Sequence, residues 1–256
     1  MKVLTAATLK GGNAKTTTCL AVAAALAEKG HAVALVDADP QSTATMIFGL
    51  KPVAEPWGAE PVELYLKELH AGSITLVRGG RPLRLANPEQ RERFFRREDL
   101  QADVMIIDTA PGEIELVDVA LRHADVVLIP VEPSPLSLTG MSDVAALAKR
   151  LEPPPPIRTV LTRVHRIRVS TRDLAERVER LLPGTLCRTM IPEDARVVDA
   201  PDFGLPVTLS ERRCRASAAY RDLVEELYPL LVGSEEIGAE DVVNPTTAIA
   251  AAAHEA

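Results

Sequence analysis

The sequence predicts an α/β fold: a doubly wound, mostly parallel sheet with helices on both faces. Three observations predict it. Strand-like apolar runs alternate with helical patterns, several of those runs are apolar without a break, and aromatics are only 3% of a chain whose 46% hydrophobic content is mostly Ala, Val and Leu. Alternation of this kind builds βαβ units with right-handed crossovers. Unbroken apolar strands belong to sheets covered on both sides, and small aliphatic side chains let helices pack closely on them. A chain of 256 residues can bury one substantial core. One folded domain is expected over residues 1–233. The acidic, alanine-rich tail at 234–256 has no core-forming pattern and is expected to be disordered.

Taken in order, residues 2–8 read as the first strand, and Thr16 to about Glu28 as the helix it feeds, ended by Gly30. Between them stands Leu9-Lys10-Gly11-Gly12-Asn13-Ala14-Lys15-Thr16-Thr17-Thr18. A glycine pair lets a loop turn its backbone N–H groups inward, toward a helix N-terminus that carries partial positive charge. Such a loop cradles phosphate. Lys15 is placed to neutralise the β- and γ-phosphates of a nucleotide and the Thr16 hydroxyl to complete a Mg²⁺ shell. The general pattern G-x-x-x-x-G-K-[ST] is not met, because Leu9 and Ala14 occupy its two glycine positions.

His31 to Asp37 is a continuous apolar strand running into Asp37-Ala38-Asp39-Pro40-Gln41, and a helix is expected over Ser42–Phe48. A D-x-D-P turn can serve as a helix cap alone. After a phosphate loop it puts two carboxylates where open α/β sheets place their chemistry, at the carboxyl ends of strands. Residues 51–72 show little periodicity, with a short helix expected near Val62–Leu69. Ile74–Val77 is a short strand and Asn87–Phe95 a charged surface helix. Val104–Asp108, followed by Thr-Ala-Pro111-Gly112, is an apolar strand ending in an acid suited to hold Mg²⁺ or its water. Strands follow at Asp125–Pro130 and Ile157–Leu161, with a helix from Leu138 to Leu151 and a stiff surface loop at Pro153–Pro156. A helix at Thr171–Leu182, a short strand at Cys187–Ile191 and a final amphipathic helix at Ser210–Val232 complete the pattern.

The form K-G-G-x-x-K-[ST]-T, with Lys10 five residues before Lys15, resembles the deviant phosphate loop of the ParA/MinD group of partition and positioning ATPases. The resemblance continues in Val36–Gln41, Ile107–Pro111, Pro130-Val-Glu-Pro-Ser-Pro135, Ile191-Pro192 and Ala200–Val207, and covers about Met1 to Val232. It is closest to the small, single-domain ParA subtype, since no helix-turn-helix precedes the first strand. The resemblance implies an ATPase using ATP and Mg²⁺. Gly11, Gly12, Asn13, Ala14, Lys15, Thr16, Thr17 and Pro192 would hold the nucleotide, with Thr17 on the α-phosphate, and Thr16, Asp39 and Asp108 would surround the metal. Lys10, Lys15, Asp39 and Asp108 would be catalytic. Asp39 would orient or deprotonate water, and Lys10 would reach the partner's nucleotide in an ATP-bound homodimer. The resemblance also implies non-specific DNA binding, a ParB-like centromere-binding partner and a cytoplasmic, nucleoid-associated location. The departure is Ala14, where the family usually has glycine; at φ > 0 alanine costs on the order of 1 kcal/mol.

Composition bears on the rivals. No apolar run approaches the ~20 residues needed to span a bilayer, and there is no signal peptide, so a soluble cytoplasmic protein without membrane attachment is expected. A MinD-like membrane cycle would need a basic amphipathic C-terminal helix, whereas residues 234–256 are acidic. Cys19, Cys187 and Cys214 lack the placement for a cluster-bearing iron protein, and no Cys or His spacing suggests a metal ligand. Only Lys10 argues against a generic nucleotide kinase. The net charge is −7, but without the tail 29 basic side chains face 31 acidic ones. Local clusters can therefore bind phosphates. Arg212, Arg213 and Arg215, with Arg196, are the expected DNA contacts, and the arginines of residues 158–180, including Arg163, Arg166, Arg168 and Arg172, are the next candidates.

Overall fold

The structure is a computed structural model and describes residues 1–64, 66, 69, 71–96, 100–165 and 169–233. Its strands are β1 (Lys2–Ala6), β2 (Ala32–Ala38), β3 (Val62–Leu64), β4 (Ser73–Val77), β5 (Val104–Thr109), β6 (Val126–Val131), β7 (Ile157–Val164) and β8 (Leu186–Pro192). Its helices are α1 (Lys15–Glu28), α2 (Thr43–Ile47), α3 (Pro88–Phe95), α4 (Ile114–Arg122), α5 (Pro135–Ala148), α6 (Val169–Leu181), α7 (Ala195–Asp199), α8 (Val207–Ser210) and α9 (Arg215–Leu231). The strands form one sheet in the order β3-β4-β2-β5-β1-β6-β7-β8, parallel throughout except for β3.

Alternation within the apolar strands divides the core. Leu4, Leu35, Ile74, Ile106 and Leu128 face α1 and α9 on one side of the sheet. On the other, Val36, Met105 and Ile107 meet α3 and α4, while Val127 and Ile129 meet α5. α1 is buried nearly all round, and its Ala21–Ala25 run fits between the sheet and α9 because small side chains permit close approach on two sides. The sequence of strands places β2, β5 and β1 side by side, with Asp37 paired to Asp108 in register and Ala6 paired to Asp108 on the other side. The phosphate loop and both acid-bearing strand ends therefore open at one edge of the sheet.

The fold class and the main strands are as the sequence predicts, and several segments differ, the short α7 among them. Val62–Leu64 is an edge strand antiparallel to β4, not the start of a helix. Its half-buried Val62 and Leu64 flank exposed Glu63, a period-two pattern too short to stand out. α4 was not expected. The final helix divides into α8 and α9, because Cys214 caps α9 with its Sγ accepting the Ser217 N–H at 3.3 Å. The tail at 234–256, Arg166, Arg168 and part of the 62–69 segment lie outside the described residues. Among the described residues no helix is long and apolar enough to cross a membrane, and the three cysteines are buried and unbridged.

Gly72, in the turn entering β4, lies against α1: a Cβ there would stand 2.1 Å from the Ala27 carbonyl oxygen and 2.6 Å from that of His31. Both obstacles are backbone, so Gly72→Ala is expected to destabilise the protein by about 2–3 kcal/mol. A lower urea midpoint with an unchanged slope checks this.

Candidate functional site

The loop between β1 and α1 is shaped from both ends. The Ala7 N–H still bonds to Leu128 O (3.1 Å) as the chain leaves the sheet, and the Thr8 hydroxyl donates to Lys10 O (2.9 Å). Gly12 has φ 90° and Ala14 φ 56°, both in the left-handed region. Ala14 is the residue before α1 and supplies no side-chain cap, so the first amides of the helix point into the loop. Cβ positions at Gly11 and Gly12 meet nothing within 4 Å, which leaves the backbone open to a ligand. Asn13 is held by distant residues. The Ser137 hydroxyl donates to its Oδ1 at 2.6 Å, and the Thr162 hydroxyl to its carbonyl oxygen at 3.4 Å.

Beneath the loop lies a charge cluster. Lys15 Nζ bonds to Asp108 Oδ1 at 2.8 Å and also donates to the Thr109 carbonyl, with side-chain exposures of 6% for Lys15 and 0% for Asp108. Burial is the largest influence and would lower the lysine pKa, but Asp108, Cys19 and Asp39 together outweigh it and the net shift is upward, so Lys15 stays charged. Asp37, paired in register with Asp108, is pushed up to about 7, first by burial and then by the Asp108 charge, against the bonds it accepts from Thr45 and the Asp39 N–H. Burial also raises Asp39, opposed by the Gln41 N–H on its Oδ1 (2.8 Å) and by Lys15. A carboxylate raised in this way is a better proton acceptor near neutral pH.

These residues fit a Mg²⁺-nucleotide. Asp108 Oδ2 is buried with no hydrogen-bond partner among the described residues, Asp108 and Asp39 both act on the buried Lys15 ammonium, and Asp37 lies against Asp108, an excess of negative charge suited to a divalent cation. A cavity of about 720 Å³ opens over the loop, lined by Lys10, Gly11, Gly12, Asn13, Ala14, Lys15, Thr16, Thr17 and Asp39 at one end and by Ile191, Pro192, Val197, Val198 and Pro201 at the other. Every expected nucleotide position is therefore brought together, with Asp108 set beneath Lys15 rather than at the cavity wall. Lys10 is exposed at the mouth, and its stem passes Gly140 of α5, where a Cβ would lie 3.1 Å from Lys10 Cγ. Sequence reasoning missed Ser137, Thr162 and Tyr220, and named Arg163 as a DNA candidate where the structure puts it in the cavity wall. Only the Ser134–Ser137 capping pattern offered a local signal, with Ser134 Oγ accepting the Ser137 N–H.

The four arginines expected to meet DNA are all exposed, with Arg196 and Arg212 each ion-paired. Arg196 grips Asp194 through two bonds (2.8 and 2.9 Å), and Arg212 Nη2 lies 2.6 Å from Glu28 at the end of α1. Arg213 and Arg215 are exposed at the start of α9.

Ala14 shows the cost of its side chain directly, since φ 56° is a conformation that glycine adopts freely. Ala14→Gly is expected to raise stability by about 0.5–1 kcal/mol, the relief of the left-handed strain less the extra entropy of glycine. Thermal unfolding of both proteins in the same nucleotide-free buffer checks it.

A family model described as the CobQ/CobB/MinD/ParA nucleotide binding domain matches residues 4–207. The sporulation initiation inhibitor protein Soj of Bacillus subtilis is 29% identical over 248 residues, covering 88% of this chain and 98% of that protein. The chromosome partitioning protein ParA of Caulobacter vibrioides is 28% identical over 255 residues, covering 89% and 94%. Among solved structures, the MinD cell division protein of Aquifex aeolicus superposes with a TM-score of 0.73 at 22% identity, covering 93% of this chain and 99% of that one. The apo McdA of Cyanothece reaches 0.73 at 21%, covering 89% and 99%. The match spans the phosphate loop, both acid-bearing strand ends and the start of the cavity's far wall, and the chain belongs to the CobQ/CobB/MinD/ParA family of P-loop nucleotide-binding domains.

Proposed function

We propose that this chain is a ParA-like ATPase of DNA partitioning, which dimerises on ATP-Mg²⁺, binds DNA without sequence preference as the dimer, and returns to the monomer on hydrolysis. The observation that carries this reading is the presence of two lysines with opposite placements in one loop. Lys15 is buried on Asp108 and serves its own subunit's phosphates, while Lys10 stands exposed at the mouth, where a facing subunit's nucleotide can reach it. Thr16, Asp39 and Asp108 would hold Mg²⁺, which when bound offsets the charge of the phosphate oxygens. Asp39, held by the Gln41 N–H, orients water and takes its proton. Lys10 is the trans charge clamp on the γ-phosphate, the role an arginine finger has elsewhere. Pro192, Val197 and Val198 give the base an apolar seat.

Relatives named for chromosome partitioning support the partition reading. A MinD-like or other cargo-positioning cycle is the second reading, supported by structures that share the fold. Hydrolysis would be slow until a ParB-like partner stimulates it, and the protein would be cytoplasmic and associated with the nucleoid.

Asp39→Ala is expected to keep ATP-dependent dimerisation while turnover falls at least about 100-fold, because proton acceptance matters only in the transition state. Phosphate release measured beside light scattering decides it, and turnover at the parental rate returns Asp39 to a turn residue. Lys10→Ala should bind ATP yet stay monomeric with a non-hydrolysable ATP analogue, whereas a dimer of parental affinity removes the trans role. For DNA, Arg196 and Arg212 are held by Asp194 and Glu28, which leaves Arg213 and Arg215 as the contacts to test. Replacing both with Ala should weaken binding to any sequence about equally, and should lower the slope of log affinity against log salt by about 0.9 per lost contact.

A further inference from the structure

From the geometry behind the cavity we infer that Thr45 is a positioning residue for Asp39, acting through the buried carboxylate of Asp37. The loop carrying Asp39 leaves β2 at Ala38 and enters α2 at Thr43, and both of its ends converge on that one carboxylate. At the entrance the Asp39 N–H donates to Asp37 Oδ1 at 3.3 Å. At the exit Thr45 donates twice to Asp37 Oδ2, from its backbone N–H at 2.8 Å and from its hydroxyl at 2.7 Å. The same hydroxyl oxygen accepts the Gly79 N–H at 3.2 Å, which ties α2 to the chain leaving β4. Gly79 is packed too closely for a side chain, since a Cβ would lie 2.5 Å from Asp37 O. All three of Asp37, Thr45 and Ser42 are fully buried, and Thr45 is absent from the cavity wall, so it touches neither nucleotide nor water there.

What this clamp fixes is a short and strained segment. Within the loop Ser42 has φ 56°, and its N–H bonds to Asp39 O at 2.8 Å. Among the described residues the Asp39 carboxylate accepts one hydrogen bond, from the Gln41 N–H. The Gln41 and Ser42 N–H groups and the Ser42 hydroxyl hold this turn together through Asp39, and where the turn as a whole stands against the sheet is set by how its two ends are held. Asp37 holds the first end, and Thr45 holds the second against both β2 and β4. The Thr45 hydroxyl thereby sets where the Asp39 oxygens stand over Lys15 and Thr16. This inference rests on the assignment of Asp39 to water activation proposed above.

The test compares Thr45→Val, which keeps the shape and removes the hydroxyl, with Thr45→Ser, which keeps the hydroxyl, and runs Asp39→Ala in parallel. Three quantities are read: steady-state ATP turnover, ATP affinity by calorimetry, and amide exchange of Gln41 and Ser42 in the nucleotide-free protein. Thr45→Val is expected to lower turnover about tenfold with ATP affinity within about twofold of the parent, the loss of the hydroxyl's two buried hydrogen bonds, to Asp37 and from the Gly79 N–H, acting on placement rather than on binding. Its Gln41 and Ser42 amides should exchange about tenfold faster while those of Leu35 and Val36 stay as in the parent, which shows that β2 remains folded. Thr45→Ser should restore turnover and exchange to within about twofold. Parental turnover and exchange in Thr45→Val overturn the inference, as does a Thr45→Ser variant as impaired as Thr45→Val, which would make the methyl group's packing responsible. Parental turnover in Asp39→Ala overturns the Asp39 assignment instead, and the exchange rates then still show whether Thr45 holds the loop.

Discussion

The buried ion pair between Lys15 and Asp108 is the interaction on which the site depends. At 2.8 Å, with the Thr109 carbonyl as a further acceptor, it joins the first turn of α1 to the end of β5 beneath the phosphate loop. Taking either charge away would leave the other buried, at a cost of about 3–5 kcal/mol. The pair therefore has two roles that cannot be separated by removing one side chain. It keeps the lysine charged beneath the phosphate loop, and it keeps the dry end of the sheet electrically tolerable with Asp37 and Asp39 close by. Charges held in this way by the fold need little rearrangement when a reaction develops charge of its own.

The frame that allows this is the adjacency of β2, β5 and β1. Parallel strands buried on both faces tolerate almost nothing polar along their length, so polar chemistry collects at their ends. Here the three ends deliver Asp37 and Asp39, Asp108, and the loop to one place. Elements on the far side then seat what the strands deliver. Ser137 from α5 and Thr162 from β7 fix Asn13, and Gly140 leaves room for Lys10. The α1 helix is held from behind by α9, with the Thr18 hydroxyl 3.3 Å from that of Tyr220. The two lysines at this end of the sheet are thus separated by position: Lys15 is part of the interior and Lys10 part of the surface.

Family membership and geometry support different parts of the picture. The family match and the shared fold establish a P-loop nucleotide-binding domain. The exposed Lys10 belongs to this chain's own geometry, and it is the feature on which the proposed nucleotide-gated dimer rests. The arginines behave less simply than their clustering in sequence suggests. Two neighbours in the chain, Arg212 and Arg213, face different surroundings, because an acid at the end of α1 captures the first of them.

By itself the sequence determined the fold class, the phosphate loop and the acids at the strand ends. Those signals are local: apolar runs of strand length, helical periodicity, and a lysine and hydroxyl at fixed spacing after a glycine pair. The tertiary structure decided whatever depends on residues distant along the chain. Lys15 meets Asp108 across 93 positions, Asn13 meets Ser137 across 124 and Thr162 across 149, and Thr45 meets Gly79 across 34. No local period marks such partners, so a serine in α5 or a threonine in α2 reads as an ordinary polar residue until the sheet brings it to its partner. The same reason explains β3, which is only three residues long and owes its existence to pairing with β4, and the left-handed Ala14, whose strain the loop fixes from both ends.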